Sequence, residues 1–185
     1  MTLDELIPVI ARLFSSKRYR YFAFGGVGVS LWGRPRTTHD LDVVVCLDRR
    51  AVPTLVAELK RVGFRMTRSL QRKLVEGRII QLPIGATELD IKLCAEGHDM
   101  EALARAQRAA FGGFELAVAS PEDIVLYKLQ TWRTQDQADI ENLLANVNRL
   151  DRRYIKEHLA PLQEETGYPV RERWESALRQ AKKMS

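Results

Sequence analysis

The sequence predicts a mixed α/β (α+β) fold, with a central mixed sheet flanked by helices and a C-terminal helical bundle. Three observations support this. Short apolar runs typical of strands alternate with helical segments up to about residue 118. Only helical patterns follow from about residue 119. The chain has 185 residues, a length typical of one domain with a small appendage. We therefore predict a core at 1–118 and a helical region at 119–185 that completes a cleft beside this core.

The first part of the chain is predicted to begin with a helix and to alternate thereafter. The pattern predicts helices at 3–14, 27–32 and 52–62, and strands at 21–24 and 41–47. Gly63 is expected to end the third helix. Strand-like pieces follow at 64–66, 73–75 and 78–82. Residues 87–94 alternate strictly between apolar and polar side chains, which predicts a strand with one buried face.

The second part begins with an alanine-rich helix predicted at 99–110 and a strand at 112–118. Ser120, Pro121 and Asp123 then form a strong helix start, with an N-cap, a proline at the first helical position and an acid at the capping-box position. The predicted C-terminal helices cover 121–132, 135–147, 151–164 and 170–183.

Composition indicates a globular protein in the cytoplasm. Hydrophobic residues make up 45% and charged residues 29% of the chain. No signal peptide or membrane span is visible, so no membrane partner is expected. Cys46 and Cys94 both lie in apolar, strand-like runs. We therefore expect buried, reduced thiols rather than a disulfide or a metal site.

The positive charge of the chain is concentrated in one segment. The formal net charge is +5, and Lys60 to Arg78 holds seven Lys or Arg against one acid, Glu76. This segment is either a solvated basic hairpin or a positively charged surface that binds a phosphate-bearing ligand.

Three aspartates are predicted to converge on one face of the sheet. Asp40 and Asp42 are two residues apart, so their side chains leave a strand on the same face. Asp90 lies on the polar face of the strand at 87–94. Each cysteine follows its aspartate by four residues, which is consistent with neighbouring strands. A lone D-x-D also occurs at strand ends, but three converging carboxylates favour Mg²⁺, with two ions expected and Mn²⁺ as an alternative.

A glycine pair stands between the first strand and the short helix. Gly25 and Gly26 would let the backbone approach a phosphate closely, with helix N–H groups directed at it. Gly-Gly, thirteen intervening residues and then Asp-Leu-Asp entering a valine-rich strand form a more specific pattern than the glycine pair alone.

These residues resemble the polymerase-beta-like nucleotidyltransferase superfamily. The stretch from Gly33 to Asp42 (GRPRTTHDLD) is similar to the AbiEii-type nucleotidyltransferases, some of which are toxins of toxin–antitoxin pairs. The stretch SPEDIVLYKLQTWRTQDQADIENLL is similar to their helical motif. The resemblance covers about residues 22–147 and implies the nucleotidyltransferase fold.

The resemblance also implies roles for individual residues. It implies that Asp40, Asp42 and Asp90 hold the metals and carry catalysis. The residues implied to bind a nucleoside triphosphate such as ATP, or to shape the turn beside it, are Gly25, Gly26, Arg36, Thr38 and Lys128. Asp136 or Asp139 would orient the lysine or the acceptor. Val27 stands where many members carry a small polar residue, so backbone N–H groups would bind the phosphates there.

Helical spacing alone places Lys128 within an apolar stripe, together with Ile124 and Trp132. Such a lysine must meet an acid or a phosphate at the edge of the core. Asp136 and Asp139 extend the inward stripe of the next helix. A structural ion pair and a pair that closes the nucleotide site are both open and are compatible.

The function expected from the sequence is metal-dependent transfer of a nucleoside monophosphate to an acceptor hydroxyl. The basic segment favours RNA, tRNA or a protein as acceptor over a cationic antibiotic. The toxin resemblance implies an antitoxin partner. The alternative is a catalytically inactive nucleotide-binding or protein-interaction module that keeps the fold.

Overall fold

The computed structural model describes residues 1–111 and 113–184, in which a single mixed sheet carries helices on both faces. The strands are β1 (Arg20–Ala23), β2 (Asp40–Cys46), β3 (Ile80–Ile84), β4 (Thr87–Leu93), β5 (Gln107–Phe111) and β6 (Phe114–Val118). They lie in the order β3-β4-β2-β1-β6-β5. The β2–β4 and β1–β6 pairs are parallel, and the other three pairs are antiparallel. This mixed order confirms the predicted α/β class.

Helices precede the sheet, connect its strands and form the end of the chain. In the first part they are α1 (Leu3–Ser16), α2 (Gly25–Trp32), α3 (Val52–Val62), α4 (Arg68–Val75) and α5 (His98–Arg105). In the second part they are α6 (Pro121–Thr131), α7 (Thr134–Asn146), α8 (Arg152–Thr166) and α9 (Val170–Met184). Among the described residues, no helix has both the length and the apolar character that crossing a bilayer requires.

The two faces of the sheet support two separate apolar clusters. On β2, Leu41, Val43 and Val45 point to one face, where α1, α3 and α4 cover them. Val44 points to the other face, where it packs with residues of α2 and α5–α9. Asp40 and Asp42 share that second face because side chains alternate along a strand. The helices on this face leave the aspartates at the edge of an open cleft.

Two predicted elements differ from the structure in the first part of the chain. Residues 68–75, predicted to contain a strand at 73–75, form α4, while 64–66 form no strand. The Thr67 side chain accepts a hydrogen bond from the Leu70 backbone N–H at 3.2 Å and so caps the helix. Leu70 and Leu74, four residues apart, pack toward the core. The basic segment is therefore a helix with short connections rather than a hairpin.

The alanine-rich helix predicted at 99–110 is shorter than expected. It ends at Arg105, and Gln107–Phe111 pair antiparallel with β6. Alanine favours helix intrinsically, but pairing with a neighbouring strand outweighs a preference of a few tenths of a kcal/mol per residue. The predicted strand at 112–118 includes Gly112, which lies outside the described residues, and its later part forms β6.

The helix start after the sheet is confirmed. The Ser120 side chain accepts from the Asp123 backbone N–H at 3.2 Å, and Pro121 occupies the first turn of α6. The predicted division between 118 and 119 falls between the end of β6 and this start, and it stays a prediction.

The two cysteines are joined to each other. Cys46 and Cys94 form a disulfide, with Cα atoms 4.7 Å apart. The parallel register places Val45 opposite Leu93, so the next residues of each chain segment meet on the same face. The expectation of free thiols was wrong because it took no account of this register. The strand pairing that the cysteine spacing indicated is confirmed.

Candidate active site

Three carboxylates meet where β2 and β4 run side by side. The parallel register pairs Asp42 with Asp90, and Asp40 precedes Asp42 on the same face. One carboxylate oxygen from each of the three lies within 4.8 Å of the others. The structure therefore brings together the three aspartates that the sequence singled out.

This acidic cluster lacks sufficient compensating positive charge. Burial raises the pKa of Asp42 to about 6, and the charge of Asp40 adds to the shift. Burial raises the pKa of Asp90 to about 7, with further contributions from Asp42 and Glu88. Mutual repulsion in a partly buried place favours either protonation or a bound cation.

The cluster fits a divalent cation. Asp90 Oδ1 is buried and has no hydrogen-bond partner in the described part of the chain. Within 1–111 and 113–184, its other oxygen accepts a single hydrogen bond, from Gln81 Nε2 at 3.5 Å. Hard carboxylate oxygens with free lone pairs suit Mg²⁺, which also keeps positions for water and phosphate. Asp40, Asp42 and Asp90 are the residues that would hold it.

The raised pKa of Asp90 predicts how metal-free protein responds to pH. Because the folded pKa lies above the ordinary value, the stability that Asp90 contributes is complete below pH 4 and is lost as pH rises through about 7. In EDTA at pH 8, Asp90→Asn should therefore stabilise the protein by ~2 kcal/mol, allowing for partial solvent screening. Urea unfolding in EDTA at pH 8 and pH 4 measures the effect.

The stability difference between Asp90→Asn and the wild type should shrink toward zero at pH 4. Saturating Mg²⁺ should reverse it at pH 8, since only the wild type keeps all three charged ligands. An Asp90→Asn protein no more stable than wild type in EDTA at pH 8 would contradict the assigned repulsion.

The glycine pair begins α2 directly against the acids. Gly25 has a φ of +59°, and a Cβ there would run into the Asp42 carboxylate. A Cβ at Gly26 would run into Thr38. The N-terminus of α2 thus faces the carboxylates with no side chain between them, as an approaching phosphate requires.

The turn before β2 positions the acids. Thr38 Oγ1 donates to Asp40 Oδ1 at 2.6 Å. Arg36 forms a two-point ion pair with Asp139, with Nε and Nη2 2.6 and 2.8 Å from the carboxylate oxygens. Arg36 also lines the cleft. The turn is therefore tied to the acid cluster on one side and to α7 on the other.

Lys128 is buried between two carboxylates. Its ammonium lies 3.1 Å from Asp136 and 2.7 Å from Asp139, and only 5% of the residue is exposed. Burial acts to raise the pKa of Asp136, but the hydrogen bonds from Arg133 and the charge of Lys128 outweigh it and lower that pKa. Burial likewise opposes the lowered pKa of Asp139, and Arg36 and Lys128 outweigh it. The ion pair that the helical spacing suggested is present.

The cleft over these groups has a volume of about 650 Å³. Besides the residues already described, its lining includes side chains that the sequence did not single out as site residues, namely Phe24, Ile79, Lys92, Tyr127, Arg133, Tyr168 and Arg173. Lys92 could have been found, since it shares the polar face of β4 with Asp90. Arg173 carried no signal, because it lies in a final helix without a motif.

Arg173 connects the last helix to the cleft. Its Nη1 donates to the carbonyls of Leu129 and Gln130 at 2.8 and 2.7 Å. These are carbonyls of the last turn of α6, where a cation is favourable. The end of α6 next to Lys128 is therefore held by α9.

Val27 lies in the apolar core, not in the cleft. It is 2% exposed and packs with the cluster under α1 and α3. A hydroxyl at this position would face that core. The absence of a small polar side chain at position 27 therefore removes no group from the cleft.

Solved structures of known proteins share this architecture. An antigenic nucleotidyltransferase-like protein from Paracoccidioides brasiliensis is 18% identical over 96% of this chain and 92% of its own, with a TM-score of 0.54. ANT(2")-Ia, in complex with adenylyl-2"-tobramycin, is 17% identical over 88% and 97%, with a TM-score of 0.57. The lincosamide antibiotic adenylyltransferase LnuA, lincomycin-bound, is 17% identical over 78% and 98%, with a TM-score of 0.56. At these identities the likeness establishes the fold.

The fold is therefore that of the nucleotidyltransferases. No curated protein matches the sequence. The model of a family described as nucleotidyltransferase of unknown function, DUF6036, matches residues 1–182. The chain belongs to this family and is a nucleotidyltransferase. The narrower AbiEii-type resemblance stays a prediction.

Proposed function

We propose that this enzyme transfers a nucleoside monophosphate from a nucleoside triphosphate to an acceptor hydroxyl, with Asp40, Asp42 and Asp90 holding two Mg²⁺ ions. One observation supports this most strongly. The three carboxylates on β2 and β4 and the N-terminus of α2 line one cleft of about 650 Å³. Such an arrangement suits the phosphates of a nucleotide at the helix end and its reacting phosphorus near the acids.

Some of the residues bind the phosphates of the nucleotide, and others hold the turn and the helix ends around the cleft in place. Gly25 and Gly26 offer backbone N–H groups to the phosphates, and Arg133 stands at the mouth with 74% of its side chain exposed. Bound Mg²⁺ supplies charge neutralisation at the phosphates and activation of the hydroxyl. Arg36 and Thr38 hold the turn that carries Asp40. Lys128, with Asp136 and Asp139, fixes the ends of α6 and α7 that border the cleft.

The proposed reaction is a single in-line displacement. The acceptor oxygen forms a bond to the α-phosphorus, and the bond from that phosphorus to the bridging oxygen breaks, releasing pyrophosphate. The hydroxyl proton passes to the Asp90 carboxylate, since β4 lies between β2 and the edge strand β3. Catalysis then consists mainly of positioning and charge stabilisation.

For the acceptor, we propose an anionic polymer in preference to a cationic antibiotic. ANT(2")-Ia was captured with adenylyl-2"-tobramycin, and tobramycin is an aminoglycoside. In the present chain the segment from Lys60 to Arg78 carries seven basic residues and one acid. Such a surface repels a polycation and attracts RNA, tRNA or an acidic protein. A toxin role with an antitoxin partner in the cytoplasm follows only if the AbiEii-type resemblance holds.

Incubation with each α-labelled triphosphate, Mg²⁺, total RNA and cell extract tests the proposal. We expect a labelled macromolecule and stoichiometric pyrophosphate, both abolished by EDTA. Calorimetry with Mg²⁺ and each triphosphate measures nucleotide binding separately from transfer. Metal-dependent nucleotide binding without label transfer to any acceptor would identify the rival, a non-catalytic nucleotide-binding module, and would contradict the proposal. The absence of both binding and transfer would contradict it as well.

A further inference from the structure

The order of the sheet defines the side from which an acceptor must approach. Going outward from β1, the sheet runs β1, β2, β4 and β3, and β3 is the edge. The N-terminus of α2 lies against Asp42 on β2, and Asp90 lies on β4. If the leaving pyrophosphate lies at α2, an in-line attack brings the acceptor hydroxyl from the opposite side, across β4 and β3. This step rests on the proposed function.

The acceptor would enter the cleft at the β3 edge of the sheet, where two exposed side chains line it. Ile79, immediately before β3, lines the cleft and is 50% exposed. Tyr168, at the start of the turn into α9, lines the same cleft and is 48% exposed. Apolar and aromatic side chains exposed in a charged cleft are suited to contact a planar base, which can stack on the Tyr168 ring.

The chain leading into this entrance forms a basic surface, which we call the α4 surface. It consists of the exposed residues Arg65, Arg68, Arg72 and Arg78. Arg68 and Arg72 lie one helical turn apart, about 6 Å along α4. Arg78 is the direct neighbour of Ile79. Among the described residues, Arg72 is the one member of this set that forms an ion pair, with Glu76 at 3.9 Å.

The charge of this surface is not balanced by its surroundings. The segment from Lys60 to Arg78 has a local charge of +6 from seven basic residues and one acid, while the whole chain has +5. The remainder of the chain is therefore close to neutral. Arg65, Arg68 and Arg78 have no acidic partner in the described part of the chain, so they are available for phosphate, which arginine binds through two hydrogen bonds.

We propose that the α4 surface binds the phosphate backbone of a single-stranded RNA end. The terminal nucleotide then enters over β3 and places its base at Ile79 and Tyr168. RNA fits better than an acidic protein for three reasons. It provides a regular line of phosphates for the arginines and a planar base that can contact Ile79 and Tyr168. It also provides a ribose hydroxyl that can reach the acid cluster. An acidic peptide provides charge without the base.

Fluorescence anisotropy with a labelled single-stranded RNA 20-mer tests the surface directly, with no nucleotide present. The test protein is the quadruple variant Arg65→Gln, Arg68→Gln, Arg72→Gln, Arg78→Gln. Its matched control removes four exposed charges from α8 and α9: Arg152→Gln, Arg153→Gln, Lys156→Gln, Arg179→Gln. We expect at least tenfold weaker binding for the test variant and less than twofold for the control. The slope of log K against log salt should fall by about 0.7 for each phosphate that the variant no longer neutralises.

Two measurements keep the result unambiguous. Affinity for a non-hydrolysable triphosphate with Mg²⁺ should be equal in all three proteins. If the quadruple variant unfolds, Arg68→Gln with Arg72→Gln on one face of α4 should give about half the change in slope. Unchanged RNA affinity in a folded test variant would overturn the proposal, as would equal competition by polyglutamate.

The anisotropy measurement, combined with the label-transfer assay described above, separates this inference from the proposed function. Label transfer to a non-RNA acceptor, without RNA affinity, would refute the α4 surface and leave the transferase function standing. RNA binding through the α4 surface without any label transfer would support the surface and refute the function.

Discussion

Asp42→Asn should reduce metal-dependent nucleotidyl transfer by about 10³-fold or more while leaving the metal-free protein at least as stable as wild type. Asp42 is the central acid, because it pairs with Asp90 across the strands and lies directly against Gly25 at the N-terminus of α2. Asparagine keeps the shape but removes one of three charges from the proposed metal cluster. Loss of a group that orients and neutralises the reacting phosphate costs several kcal/mol of barrier.

The opposite signs of the two effects of Asp42→Asn make the prediction specific. The pKa of Asp42 is raised to about 6 by burial and by Asp40, so the neutral side chain relieves repulsion above that pH. Initial rates with α-labelled triphosphate and urea unfolding in EDTA at pH 8 measure the two effects. Asp48→Asn is the matched control, since Asp48 lies just beyond β2 with its side chain 56% exposed. Transfer by Asp42→Asn at a near wild-type rate would show that the acid cluster does not take part in catalysis.

Lys128→Met should destabilise the protein by about 3–5 kcal/mol. The variant removes the ammonium between Asp136 and Asp139, whose side chains are each 1% exposed. Breaking a buried ion pair leaves charges without a partner, and this costs more than the pair contributes. Arg133 and Arg36 remain on the two acids, so the loss is expected at the lower end of the range. Urea unfolding at pH 7 measures it.

The pH dependence provides a check on the origin of the Lys128 effect. Because the pKa values of Asp136 and Asp139 are lowered in the folded protein, their contribution is complete above about pH 4 and is lost as pH falls below it. The difference between wild type and Lys128→Met should therefore shrink in acid. Lys156→Met, at an exposed position of α8, should change stability by less than about 0.5 kcal/mol, as is usual for surface sites. A Lys128→Met protein as stable as this control would show that the buried pair is energetically unimportant.

Local patterns predicted most of the fold where one principle dominated. The alternation in 87–94 gave β4 with its buried and polar faces, and Ser120 with Pro121 gave the start of α6. The errors occurred where signals conflicted. Residues 107–110 were assigned to a helix from the alanine content of 99–110, yet pairing with β6 makes them a strand. At 68–75 the many charges obscured the spacing of Leu70 and Leu74.

The candidate site was predictable where its residues lie on regular elements. Asp40, Asp42 and Asp90 followed from strand periodicity, and their convergence needed only the pairing of β2 with β4. The rest of the cleft depends on how distant helices pack. Ile79, Tyr168 and Arg173 come together through tertiary contacts that no local pattern encodes.

The pairing of β2 with β4 has a consequence for how the chain must fold. A shift of one residue in this parallel register would turn Asp90 into the apolar layer under α1 and α3, since side-chain direction alternates at every step. The disulfide joins residues 48 positions apart in the chain, so this pairing closes a long loop. Cys46 and Cys94 can meet only when the alignment is correct. The disulfide can therefore form only in molecules in which β2 and β4, the strands that carry the acids, are paired in the native register.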